Sequence, residues 1–229
     1  MPAHSLPARP VDLFETEPAR VWLLSDTRRE PHRHVMGLFN WEKTPATVEV
    51  DLARAGLPAA EAWAAFDFWG NVFLPPARGT LTLTLPPKSC RIVALRPLAD
   101  RPQVLSTSRH ITQGIVELKE EAWDAATSTL RGRSTVVGGD AYELRIVGAL
   151  PGDAEIWEVG KASVSEADAA AGVTVASRGA NGLSRVTIAS PAGREGAWSI
   201  RFRRAARDAS ARPAEPANVR PGAQLSSEE

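Results

Sequence analysis

Between Thr80 and Leu85 threonine and leucine alternate without a break, with Leu81, Leu83 and Leu85 opposed to Thr80, Thr82 and Thr84. Successive side chains of a strand point to opposite faces, so this pattern suits a strand with one face on a core and the other in water. Thr47 to Leu52 repeats it, with Val48, Val50 and Leu52 on one side and Thr47, Glu49 and Asp51 on the other. Val21-Trp22-Leu23-Leu24 is a short apolar run, and His34 to Trp41 is a second, which reads as a strand buried on both faces. Ser89 to Leu95 follows the Pro86-Pro87 turn. The one helical candidate, Ser165 to Ala171, is too short to organise a fold. Short strands at this spacing predict an all-β chain built as two consecutive antiparallel β-sandwich domains.

The punctuation of the chain sets the boundaries. Residues 1–20 hold Pro2, Pro7, Pro10 and Pro18, and proline fixes φ and removes a backbone donor, so this segment is read as an extended lead-in. The first sandwich is placed at 21–97. Arg96-Pro97-Leu98-Ala99-Asp100-Arg101-Pro102 reads as a connector, and the second sandwich is placed at 98–205. Within it, Thr129–Val137 and Ala141–Val147 flank Gly138-Gly139-Asp140, and Val173–Ser177 and Arg185–Ala189 flank Gly179-Ala180-Asn181-Gly182. Both glycine-bearing links are read as hairpin turns. Trp198 to Phe202 alternates as a last strand. Residues 206–229 carry three prolines and a single leucine, Leu225, and are read as a disordered tail.

Lysine and arginine number 27, as do aspartate and glutamate, so no net field draws the chain to nucleic acid or to an anionic membrane. No apolar run approaches the ~20 residues that span a bilayer. The segment after Met1 lacks the basic start and apolar centre of a secretory signal, which places the chain in the cytoplasm if Met1 is the natural start. The single cysteine, Cys90, excludes an internal disulfide and reads as a small core residue in its strand.

A search for chemistry returns no catalytic residue, no metal site and no cofactor motif. Asp51, Asp67, Asp100, Asp140 and Asp153 are candidate carboxyls, but most fall in turns, where aspartate bonds its own backbone. None sits at the end of a βα unit, where barrel enzymes carry theirs. His32-Arg33-His34 would present both rings on one strand face, yet nothing completes a four-ligand metal set, and the pair reads as an exposed strand start. Ser106, Ser108 and His110 lie together without a GxSxG elbow or an orienting acid. Phosphate-loop and dinucleotide fingerprints are missing. The seven tryptophans matter more, because sugar rings stack on exposed indoles. Most stand inside apolar strands and read as packing. Trp69, just before Gly70-Asn71, is the best candidate for exposure, and Trp69 and Trp41 are the candidate carbohydrate-binding residues.

Several phrases taken together resemble a known family. Val35-Met36-Gly37-Leu38-Phe39-Asn40-Trp41 resembles a strand of the C-terminal sandwich of clan D glycoside hydrolases, the group that includes the α-galactosidases, or melibiases. The alternating strand and the stretch Leu52 to Leu57 follow in the family's order. Next come Phe66-Asp67-Phe68-Trp69-Gly70, the strand Thr80–Leu85, and a closing strand from Pro86 to Leu95. Order and spacing agree over residues 11–97. Val104 to Gly114 looks like a region appended in bacterial α-galactosidase-like proteins. The clan's catalytic aspartates belong to a barrel of ~250 residues with alternating strands and helices, a pattern this chain lacks, so no family catalytic residue transfers to it. The resemblance implies a non-catalytic accessory portion that stabilises the catalytic barrel of a glycoside hydrolase, present in cis or as a split partner. A free-standing carbohydrate-binding module and a protein-interaction module are the alternatives.

Overall fold

The computed structural model describes residues 6–149 and 152–208. They fall into two compact units divided between Leu98 and Ala99, and each is all-β. The first unit holds β1 (Arg9–Pro10), β2 (Val21–Asp26), β3 (Arg33–Asn40), β4 (Ala46–Asp51), β5 (Trp63–Asp67), β6 (Val72–Ala77), β7 (Thr80–Leu85) and β8 (Ser89–Pro97). Six of them form an antiparallel sheet in the order β1-β2-β3-β8-β5-β6, while β4 and β7 form a two-stranded sheet. The core lies between the two. Leu23, Met36, Leu38, Val93 and Leu95 from the larger sheet pack with Val48, Val50, Leu81 and Leu85 from the smaller. The alternation in β4 and β7 survives as Val48 and Val50 turned inward and Thr47, Glu49 and Asp51 outward. β3, which holds the apolar stretch Val35 to Phe39, has seven of its eight residues buried. β6 closes one edge of the large sheet with Pro75 and Pro76, which cannot donate to a further strand.

Pro86-Pro87 does not join a hairpin. β7 pairs only with β4, and the chain crosses at the prolines into the large sheet, where β8 pairs with β3 and β5. The buried Asn40 pins that crossing, since its Nδ2 donates to the carbonyls of Thr44 (2.9 Å), Leu85 (3.2 Å) and Pro86 (2.8 Å). The lead-in is more than extended chain. β1 pairs with β2, and both carboxylate oxygens of Asp12 accept from the backbone of the segment it precedes: Arg20 N at 3.1 and 3.0 Å, Val21 N at 3.0 Å.

The second unit contains β9 (Gln103–Thr107), β10 (Leu118–Asp124), β11 (Thr129–Val136), β12 (Tyr142–Val147), β13 (Glu155–Val164), α1 (Glu166–Ala170), β14 (Thr174–Ala180), β15 (Leu183–Ala189) and β16 (Arg194–Ala206). Its two four-stranded sheets run β10-β11-β16-β13 and β14-β15-β12-β9 and enclose a core that includes Leu130, Leu144, Ile146, Val186, Trp198 and Ile200. The helix starts where Ser165 Oγ accepts from Asp168 N, an N-cap. The hairpin read at 179–182 is present and tight: β14 and β15 pair up to Ala180 and Leu183, and Asn181 and Gly182 both take positive φ, as primed two-residue turns require.

The hairpin read at Gly138-Gly139-Asp140 is corrected. β11 is flanked by β10 and β16, and β12 by β15 and β9, so this link carries the chain from one sheet to the other. Its glycines have another cause. A Cβ on Gly138 would lie 2.7 Å from Ala192 Cα, and Gly139 has φ +75°. The expected tail, 206–229, begins inside β16 at Ala206, and from residue 209 onward it lies outside the described residues.

Candidate functional site

The alternation that buries Leu23 and Met36 turns their neighbours to the opposite face of the large sheet. Trp22, Gly37 and Ile92 are cross-strand partners, and so are Phe39 and Cys90, one pleat further along. Trp41 continues the same face two residues after Phe39, and its ring stacks on the Phe39 ring with centroids 5.0 Å apart and planes 5° from parallel. Gly37 leaves room for this, since a Cβ there would meet the Phe39 ring at 3.1 Å. The indole N–H groups of Trp22 and Trp41 both donate to the Ala19 carbonyl, at 3.4 and 3.0 Å. The Cys90 thiol, half-buried beside this strip, receives a hydrogen bond from the Trp69 side chain. Burial pushes that thiol's pKa up, and the Trp69 bond opposes the rise, so Cys90 is a packing residue with little thiolate character. Trp22, Phe39, Trp41, Ile92 and Trp69 thus form one apolar, largely aromatic strip on the face away from the core.

Trp69 is the exposed member, at 45% of its full surface. It stands in the Phe68–Asn71 turn between β5 and β6, edge-on to Phe68 with centroids 5.1 Å apart. The turn is built on Asp67. Its buried carboxylate accepts from the backbone N–H groups of Gly70 and Trp69 and lies 3.4 Å from Arg91 Nη1. Gly70 must lack a side chain, because a Cβ would stand 2.5 Å from Asp67 Oδ2. Burial raises the Asp67 pKa, while Arg91 and the two turn N–H groups hold it back.

Of the candidate carbohydrate-binding residues, Trp69 is open to solvent and Trp41 is half-buried. One face of the Trp41 ring is covered by Phe39 and its N–H is already bonded, so Trp41 offers a sugar less than the sequence implied. The HxH pair is not an exposed strand start. His34 is buried, edge-on to Trp63 at 5.6 Å, with Nδ1 2.8 Å from Ser25 Oγ, whereas His32 bonds Glu30 at 2.9 Å. Burial lowers the His34 pKa to about 4, so its ring is neutral at ordinary pH. Among the described residues no group of three His, Cys, Asp or Glu side chains is placed to hold a metal ion. The roles of Asp67, Phe39 and Trp22 were not singled out from sequence. The i, i+2 spacing of Phe39 and Trp41 was the available signal for a shared face.

In the second unit the aromatic residues are spoken for. Trp123 and Trp157 meet edge-on at 5.3 Å, and the Arg204 guanidinium covers the Trp157 ring at 4.2 Å while pairing with Asp100 at 2.8 Å. That arrangement packs one end of the sandwich and leaves no open indole platform.

Against known proteins, residues 18–95 match the family described as the alpha galactosidase C-terminal beta sandwich domain. The first unit therefore carries an α-galactosidase-type C-terminal β-sandwich, an accessory fold of glycoside hydrolase-like proteins. Among solved structures the chain is similar to Abp-WT, a GH27 β-L-arabinopyranosidase from Geobacillus stearothermophilus, at 24% identity over 42% of this chain and 20% of that one, with a TM-score of 0.34. It is also similar to the isomalto-dextranase of Arthrobacter globiformis T6 complexed with panose, at 15% identity over 80% of this chain and 36% of that one, with a TM-score of 0.28. The chain spans about a fifth and about a third of the lengths of these two enzymes. No curated protein matches the sequence. The one helix among the described residues is five residues long, so they contain no (β/α)₈ barrel.

Proposed function

We propose that the chain is the non-catalytic C-terminal β-sandwich portion of an α-galactosidase-like glycoside hydrolase, and that the aromatic strip of its first unit seats against the enzyme's catalytic barrel. The strip carries this reading. Trp22, Phe39, Trp41 and Ile92 lie at one end of a sheet face and Trp69 joins them through Cys90, a largely aromatic patch with the composition of a surface built to be covered. The family match supports a barrel as the occupant, because the matched domain is described as a C-terminal one of α-galactosidases.

The test is the size and company of the native product, detected in a lysate with an antibody against residues 104–147. The reading expects a species several times larger than 24.6 kDa, or a 24.6 kDa chain that co-elutes with a barrel subunit and loses it in Trp69→Ser. A 24.6 kDa chain that elutes alone overturns it. The open indole of Trp69 also suits stacking on a sugar, and this second reading expects its fluorescence to change with millimolar galactoside in the isolated chain.

A further inference from the structure

The turn between β14 and β15 holds the one dipeptide of the sequence in which asparagine or aspartate precedes glycine, Asn181-Gly182. A backbone nitrogen that follows asparagine can attack the side-chain amide and close a cyclic imide. A side chain on the following residue shields that nitrogen, and glycine has none. Asn71 is the internal contrast. It stands in a turn with the same φ of 51°, but Val72 follows it, and the branched side chain crowds the attacking nitrogen. Asn40 is buried, with its Nδ2 committed to three carbonyls.

The fold holds this glycine in place. Gly182 has φ +78°, and a Cβ there would stand 2.5 Å from Ala149 Cβ. Its carbonyl accepts from Gly148 N at 2.7 Å. Its own N–H lies outside the β14–β15 ladder and has no acceptor among the described residues. The nucleophile is therefore free, and the asparagine is what is held. Asn181 Nδ2 donates to the Asp208 carbonyl and Asn181 Oδ1 accepts from Asp208 N, both at 3.1 Å. This two-way clamp fastens the chain just beyond β16 to the tip of the hairpin.

We propose that Asn181 is a site of spontaneous deamidation, that the Asp208 clamp gates the reaction, and that conversion unfastens the end of β16 from the hairpin tip. When the clamp opens, Gly182 N gives its proton to solvent and bonds to Asn181 Cγ. The Cγ–Nδ2 bond breaks, and the amide nitrogen takes a proton from water and leaves as ammonia. Water then opens the imide at either carbonyl, giving aspartate or isoaspartate with no change of oxidation state. Neither product restores the clamp, because a carboxylate has no N–H for the Asp208 carbonyl and repels it. Isoaspartate also lengthens the backbone of a two-residue turn that sets Ala180 against Leu183. The site is independent of the aromatic strip and of the barrel reading.

The test ages the full chain in warm, mildly alkaline buffer and follows the tryptic peptide Gly179–Arg185 by mass spectrometry. Acid and isoaspartyl forms should accumulate in that peptide, while the peptides that carry Asn40 and Asn71 keep their amides. Asp208→Pro removes the N–H that Asn181 Oδ1 accepts, and it should speed the conversion about fivefold, the rate equivalent of one hydrogen bond. Asn181→Asp carries the product's side chain. It should speed amide exchange at Asp208 and at Arg207, whose N donates to the Ala154 carbonyl at 2.8 Å. The site is overturned if the folded chain keeps its Asn181 amide under conditions that convert the isolated peptide, or if Asn71 converts as fast. An unchanged rate in Asp208→Pro overturns the gate. Unchanged exchange at Arg207 and Asp208 in Asn181→Asp overturns the release.

Discussion

The carboxylate of Asp67 lies 3.4 Å from the guanidinium of Arg91, and both side chains are largely withdrawn from water. The same carboxylate accepts the two backbone N–H groups that form the Trp69 turn, so one buried group fixes both a core ion pair and the presentation of the exposed indole. Breaking such a pair from one side leaves an uncompensated charge. Asp67→Ala should therefore cost about 3 kcal/mol. Asp67→Asn keeps an acceptor for the turn and should cost about half as much. Urea unfolding followed by tryptophan fluorescence measures the difference, and equal costs would mean that the turn N–H bonds contribute nothing.

The pH response of the first unit should be set by His34. Its folded-state pKa, about 4, lies below the ordinary value of 6.5 because burial between Ser25 and Trp63 disfavours the charged ring, with His32 adding to the effect. The sign follows from linkage. Below the unfolded value the unfolded chain binds a proton that the folded chain refuses, so stability falls as pH drops from about 6.5 towards 4. The loss should reach about 2–3 kcal/mol. Asp67, whose pKa is raised by burial, works in the opposite direction at the acid end, because its protonation relieves a buried charge. Thermal melts of wild type and His34→Gln across this range separate the two: the variant should lose the slope between pH 6.5 and 4. A slope unchanged by the substitution would place the titration elsewhere.

Strands such as Thr80–Leu85 were legible because one face is wet and the other dry, which prints a period of two into the sequence. β5 was not. All five residues of Trp63-Ala64-Ala65-Phe66-Asp67 are buried, so no polar face marks the alternation, and two alanines carry no strand preference. Sheet partners were legible only where a turn is two residues long, as at Asn181-Gly182. At Gly138-Gly139 the glycines answer to Ala192, a residue more than fifty positions away, and a local reading mistakes that close approach for a hairpin. The site divides in the same way. Trp69 announced its exposure through Gly70-Asn71 beside it. The loop that Asp12 closes onto the backbone of Arg20 and Val21 was not legible, because proline content alone read that segment as extended.

Glu143 should be the electrostatic keystone of the second unit. It pairs with Arg145 at 3.0 Å, Arg185 at 2.6 Å and Arg178 at 3.3 Å, and the first two arginines are largely buried. Burial pushes the Glu143 pKa up, but the Arg145 and Arg185 guanidinia outweigh it and hold the carboxyl below its usual range. A lowered carboxyl pKa contributes stability that is present above the unfolded value of 4.5 and lost as pH falls through the folded one. Glu143→Gln removes the counter-charge of three arginines at once and should cost about 3 kcal/mol at neutral pH. Arg178, mostly exposed, should cost under about 1 kcal/mol as Arg178→Ala. Chemical denaturation of the two variants checks the ratio, and comparable losses would show that the buried arginines do not depend on Glu143.

The tightest packing test lies in the second core. Gly132 and Trp198 are cross-strand partners, and the indole lies across the glycine with its Nε1 donating to the buried Ser134 Oγ at 3.0 Å. A Cβ at 132 would stand 2.2 Å from Trp198 Cζ2 and 2.4 Å from the Glu120 carbonyl oxygen. The ring cannot rotate away without abandoning Ser134, and the carbonyl belongs to the neighbouring strand, so neither neighbour yields cheaply. Gly132→Ala, a single added methyl, should cost about 3 kcal/mol or more and red-shift the Trp198 emission as the indole is displaced from its buried seat. Pairing it with Trp198→Phe, which shortens the ring that collides, should recover part of the loss. If the double variant is no more stable than the two single costs added together, then the indole is not what excludes the methyl, and the clash with the Glu120 backbone carries the whole effect.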